Sequence, residues 1–101
     1  LLKIGPYQGG HGCLAIPFDR GVCGAAARQR AIQLVDDVDC FEGHIACSST
    51  TKSELVIPCY NKGGCLLGVL DIDSDQPNFF KCQDAAQFDQ MLRQLFQNAY
   101  L

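Results

Sequence analysis

Two apolar runs joined by a glycine-bearing turn place the strongest constraint on what this chain can become. Glu54-Leu55-Val56-Ile57-Pro58-Cys59-Tyr60 and Cys65-Leu66-Leu67-Gly68-Val69-Leu70-Asp71-Ile72-Asp73 read as strands. Between them, Asn61-Lys62-Gly63-Gly64 is hairpin chemistry, because asparagine and glycine supply the backbone angles of a tight reversal. An antiparallel pair is therefore predicted. From Asp84 the period changes: Phe88, Met91, Leu92, Leu95, Phe96 and Ala99 recur at helical spacing, forming one apolar face behind an acidic start. Strands followed by such a helix indicate an α+β fold, a central antiparallel sheet flanked by helices.

Upstream the signals are shorter. Gly5-Pro6-Tyr7-Gln8-Gly9-Gly10-His11-Gly12 is a turn-rich loop, and Cys13 to Phe18 is an extended run that Pro17 confines to an edge or a strand end. Val22 to Arg30 is Ala-rich and ends on Arg28 and Arg30, which suits a short helix with basic residues at its negative end. Ile32 to Val38 reads as a brief extended piece, and Ser48 to Ser53 as a polar loop. Three or four strands are few for a sheet that carries helices.

The 101 residues bound the chain to one small domain, and 48% hydrophobic against 19% charged content supports a packed core. A net charge of −3 without any basic cluster excludes nucleic acid and anionic membrane as expected partners. No apolar stretch approaches the length a bilayer requires, and residues 1–6 lack the apolar core of a signal peptide.

Cysteine usage is out of proportion: seven, at positions 13, 23, 40, 47, 59, 65 and 82. The odd count and the absence of any C-x-x-C argue against a disulfide scaffold and a zinc ribbon, leaving free thiols, some buried and some reactive. Cys23 falls in the first turn of the predicted Ala-rich helix, where the helix dipole favours a thiolate. Cys13 and Cys47 adjoin loops and suit disulfide exchange. Cys40, Cys59, Cys65 and Cys82 are read as small buried hydrophobes.

A second constellation is acidic. Asp71 and Asp73, two apart on a strand, point to one side, and a hairpin turning at Asn61 to Gly64 brings Glu54 to their end. Three converging carboxylates can bind an ammonium group, and mutual repulsion can raise one of them into a general acid. A solvated strand end with a turn role for Asp73 is the plainer alternative. His44 and Cys47 form an H-x-x-C spacing that could meet His11, but a second closely spaced ligand pair is missing and no metal is expected. A Cys–His nucleophilic pair stays open on spacing alone.

The segments Gly5-Pro6-Tyr7-Gln8-Gly9, Ile16-Pro17-Phe18, Arg20-Gly21-Val22-Cys23-Gly24, Gly43-His44-Ile45-Ala46-Cys47, Ser53-Glu54 and Gly68-Val69-Leu70-Asp71-Ile72-Asp73-Ser74 resemble the free methionine-(R)-sulfoxide reductases, which are single GAF-type domains. The resemblance runs from Gly5 to Ser74 and implies a GAF-like fold. It implies thiol-dependent reduction of free L-methionine (R)-sulfoxide through a cysteine sulfenic acid and an intramolecular disulfide that thioredoxin recycles, with no cofactor beyond that external reductant. By position it makes Cys47 the attacking cysteine, Cys13 its resolving partner and Cys23 the third family cysteine. Glu54, Asp71 and Asp73 correspond to the residues that bind the substrate ammonium and activate the sulfoxide oxygen. The helix-end argument favours Cys23 instead, so the two lines assign the leading thiol differently.

The family ordinarily begins further upstream, with helices, the first sheet strands and a tryptophan-containing segment that walls the pocket, whereas this chain has no tryptophan. Residues 1–101 are thus expected to be the C-terminal two-thirds of one GAF-type domain. A non-catalytic GAF-type small-molecule-binding or sensor domain is the alternative, set apart by having no need of the three cysteines. Need of a reducing system and lack of a signal sequence point to the cytoplasm, and the chemistry to defence against oxidative stress.

Overall fold

The computed structural model describes residues 1–9, 13, 15–41, 43 and 50–97. In chain order these form β1 (Leu2–Lys3), β2 (Ala15–Ile16), α1 (Gly21–Gln29), β3 (Gln33–Val35), a 3-10 turn (Val38–Cys40), β4 (Ser53–Tyr60), β5 (Leu66–Ser74) and α2 (Cys82–Phe96). The α+β architecture matches expectation. β3, β4 and β5 make an antiparallel sheet in that order, and β1 pairs with β2 in a small second one.

The hairpin forms as its turn chemistry demands. The Asn61 side-chain oxygen accepts from the backbone N–H of Gly63 and of Cys65, each at 2.9 Å, and Gly64 takes a φ of +83°, open to glycine at little cost. The register then runs from Ser53 opposite Ser74 to Cys59 opposite Gly68, with a shift before Tyr60 meets Leu66. Pro58 sits in this long strand because β3 reaches only the Glu54–Val56 stretch. Beyond that stretch β4 has a partner on one side alone among the described residues, and the missing N–H costs no ladder bond there.

Strand periodicity sorts the two faces. Val56, with Val35, packs under Val22, Cys23 and Ala26 of α1, while Leu55, Ile57 and Cys59 pack with Ala85 and Leu92 of α2 and with Phe80. Helix, sheet and helix therefore stack in three layers. Gly24 lets α1 lie close against the segment that precedes it: a Cβ there would stand 2.8 Å from the Pro17 carbonyl oxygen. Its far end is tied to the hairpin, since Arg30 donates to the Gly64 carbonyl at 2.6 Å and the Tyr60 hydroxyl donates to the Arg30 carbonyl at 3.0 Å.

α2 begins at Cys82, two residues before Asp84, whose carboxylate accepts from the Lys81 N–H at 2.8 Å. Its inward stripe is Ala85, Phe88, Leu92 and Phe96. Met91 and Leu95, expected on that stripe, are 42% and 66% exposed. The small Ala85 lets the sheet approach along the Ala85–Leu92 line, which at 3.6 residues per turn rotates Met91 and Leu95 to one side. Ala99 lies outside the described residues. Among the described residues no helix is long and apolar enough to cross a membrane.

Candidate active site

Glu54 enters β4 at its second residue and is directly opposite Asp73 of β5, while Val56 is opposite Asp71. Side chains alternate along a strand, so Glu54, Asp71 and Asp73 share the face that α1 covers. The predicted convergence of the three carboxylates is what the register produces. Cys23, near the start of α1, brings its thiol to 4.0 Å from Glu54 Oε2. Its sulfur, a Glu54 oxygen and an Asp71 oxygen all lie within 4.8 Å of one another.

Burial divides this cluster. Glu54 is 7% exposed, whereas Asp71 and Asp73 are exposed on β5, so the group opens to solvent on the β5 side. Burial, followed by the neighbouring Asp71 and Asp73, pushes the Glu54 carboxyl up to about 10. Asp73, exposed as a residue but with its carboxyl partly enclosed beside Glu54 and Asp71, rises to about 7 through that desolvation first and the charge of Asp71 next. Glu54 thus holds its proton to a higher pH than Asp73 does, a separation that lets one cluster both bind a cation and give a proton.

Cys23 overturns the helix-end expectation. Burial, with the charges of Asp71 and Glu54 behind it, drives its thiol far above the ordinary range. A helix terminus is worth about 0.3–1 kcal/mol, less than one pKa unit, whereas full burial shifts a group by up to about 3–5 units. The thiol stays neutral. No spacing in the sequence announces its approach to Glu54, because 31 positions separate the two; the run Ala25-Ala26-Ala27, which narrows α1 against the sheet, is the signal that bears on it.

Cys13, half-buried just before β2, is disulfide-bonded. Cys47, His44 and His11 lie outside the described residues. Cys59 is buried as expected, but Cys40, Cys65 and Cys82 are exposed free thiols, which corrects their reading as packing residues. They occupy a 3-10 turn, the end of the hairpin loop and the first residue of α2, none of which is covered by a second layer. Among the described residues, Cys23, Glu54 and Asp71 are the group whose donor atoms could together hold a metal ion, a mixed thiol and carboxylate set.

Two surface concavities lie elsewhere. One of about 250 Å³ is lined by Pro58, Tyr60, Lys62, Asp89 and Arg93, and one of about 440 Å³ by Asp19, Gly21, Arg28 and Phe41. Arg93 is already paired with Asp89 at 3.0 Å, and Arg28 donates to the Phe18 carbonyl, so neither concavity matches the chemistry of the carboxylate–thiol cluster.

Comparison with known proteins bears on the fold and the family. The chain is 47% identical over 94 residues to GAF domain-containing protein A of Dictyostelium discoideum and 43% identical over 94 residues to the free methionine-R-sulfoxide reductase of Escherichia coli, in each case over 93% of its own length. It superposes on the free methionine-R-sulfoxide reductase of Neisseria meningitidis, solved in complex with its substrate, with a TM-score of 0.85 and 41% identity over 94% of the chain. It spans 59%, 56% and 56% of these three proteins, a little over half of each. The sequence profile of the GAF domain matches residues 3–99, and with the sheet and helices described above this places the chain in the GAF domain family.

Proposed function

We propose that the protein to which this chain belongs reduces free L-methionine (R)-sulfoxide to L-methionine. The observation that carries the reading is the buried Glu54, its carboxyl pushed up to about 10 by burial, set directly opposite Asp73. Relatives named as free methionine-R-sulfoxide reductases, one solved with its substrate, support the choice of substrate.

Asp71 and Asp73 hold the substrate ammonium group at the solvent side. Glu54 donates a proton to the sulfoxide oxygen, which raises the electrophilicity of sulfur in a site where water is scarce. The Cys47 thiolate attacks that sulfur to form an S–S-bonded adduct. The hydroxyl then passes from the methionine sulfur to the Cys47 sulfur as the S–S bond breaks with its electron pair going to methionine, which departs and leaves Cys47 as a sulfenic acid. The Cys13 thiol then condenses with it, releasing water and leaving a Cys13–Cys47 disulfide that carries the two electrons' worth of oxidation. Thioredoxin reduces that disulfide by exchange, and no resident cofactor takes part. The disulfide-bonded state of Cys13 supports its role as the resolving cysteine. Dependence on thioredoxin puts the protein in the reducing cytoplasm.

The test is an assay of the full-length protein with thioredoxin, thioredoxin reductase and NADPH. Consumption of the free (R)-epimer, with the (S)-epimer and peptide-bound methionine sulfoxide untouched, is expected. Ligand binding without turnover in folded, reduced protein would overturn the enzyme and favour a sensor.

A further inference from the structure

We infer that Cys23 is a positioning residue for Glu54: the α1 thiol, 4.0 Å from Glu54 Oε2, caps the carboxyl group and shuts out water, and it takes no part in the thiol–disulfide relay. This rests on the reading of Glu54 as the proton donor above.

Glu54 is enclosed from three directions. Val35 of β3 is opposite it on one side, Asp73 of β5 on the other, and Asp71 follows two residues along the same face. The remaining side is closed by α1, and the atom placed there is the Cys23 sulfur. Cys23 itself is 7% exposed, packed among Val22, Ala26, Val35, Val38 and Val56. Disulfide exchange needs an incoming sulfur to reach the one attacked, and this packing leaves no approach for thioredoxin.

A thiol suits the cap. It is small and apolar, yet it can donate weakly to a carboxyl oxygen, so it covers Glu54 without adding charge or a firmly held water. Burial keeps that thiol neutral, in agreement with a structural rather than a nucleophilic part. The ionisable groups facing Glu54 among the described residues are Cys23 from α1 and Asp71 and Asp73 from β5, and of these only Cys23 is itself buried.

The experiment compares Cys23→Ala, Cys23→Ser and Cys23→Val in the full-length protein. Carboxyl ¹³C NMR follows the titration of Glu54 without substrate, steady-state kinetics give kcat and KM against pH, and thioredoxin-dependent reduction of the oxidised protein reports the relay. Alanine and serine admit water, so the Glu54 midpoint is expected to fall by about one pH unit or more, carrying the alkaline limit of kcat down with it. Valine refills the space and restores both. Reduction of the disulfide by thioredoxin proceeds at the wild-type rate in every variant.

An unchanged Glu54 titration in Cys23→Ala and Cys23→Ser overturns the inference whatever the kinetics. So does a variant that completes one turnover and then cannot be recycled, since that marks Cys23 as a relay thiol. If valine overfills the contact and the variant does not fold, the alanine and serine titrations decide. If the wild-type protein reduces no sulfoxide, the proposed reaction fails while the titration still answers for the cap.

Discussion

Glu54 and Asp73 face each other across the β4–β5 ladder, two carboxyl groups at one register position, the first buried and the second open to solvent. Like charges directly opposed on antiparallel strands are destabilising, and an unpaired buried charge more so. The pair persists because Glu54 keeps its proton.

That proton makes a stability prediction. The Glu54 carboxyl rises from 4.5 to about 10 on folding, so the folded state binds a proton that the unfolded state releases. Below 4.5 both states are protonated and nothing is lost. As pH rises through the window toward 10, stability declines. Glu54→Gln keeps the shape without the ionisation, so it is expected to be more stable than wild type at pH 7–9 and to flatten this decline. Its kcat/KM for methionine (R)-sulfoxide falls about 10²–10⁴-fold, the worth of a general acid. Urea titrations at several pH values and steady-state kinetics check the two halves separately.

Gly24→Ala tests the close approach of α1. The added Cβ would meet the Pro17 carbonyl oxygen at 2.8 Å and that of Phe18 at 3.0 Å, both backbone atoms that cannot rotate away. Overpacking of this kind costs about 1–3 kcal/mol, more than the helix propensity alanine restores. The midpoint of denaturant unfolding is expected to fall, and activity with it, because α1 carries Cys23 to Glu54.

The hairpin and the carboxylate cluster were legible in the sequence because both follow from local rules. Asn61 and Gly64 fix the turn, the turn fixes the register, and a period of two puts Glu54, Asp71 and Asp73 on one face. Cys23 was not legible in the same way. Its helix position could be read, but the chemistry of its thiol depends on which strand face the helix covers, a contact between residues 31 apart. Met91 and Leu95 miss the core for a related reason: periodicity defines a stripe, and packing against the sheet chooses its centre.

Thiol accessibility follows the same division. Cys40, Cys65 and Cys82 are free and exposed, and Cys23 and Cys59 are free and buried. Iodoacetamide followed by peptide mass mapping is expected to modify the first three in native protein. Cys23 and Cys59 should react only after unfolding, since their thiols are buried and burial holds both above the ordinary range, which suppresses the thiolate that alkylation requires. Rapid native labelling of Cys23 would contradict the enclosed position of its sulfur under α1.

The cluster also sets a pH window for the proposed reaction. Asp73 rises to about 7, so it becomes an anion able to hold the substrate ammonium only as pH climbs through neutrality. Glu54 stays protonated until about 10. Affinity is therefore expected to improve as pH rises through 7, and kcat to fall as pH approaches 10, giving kcat/KM a plateau between these limits. The two limits belong to the interacting carboxyls together, so each single substitution moves both. Asp73→Asn removes the acidic limb and raises KM, while leaving the alkaline limb in place at a lower pH, because the neutral neighbour no longer holds the Glu54 proton against release. A KM that stays flat from pH 5 to 8 in the wild-type enzyme would remove Asp73 from ammonium binding.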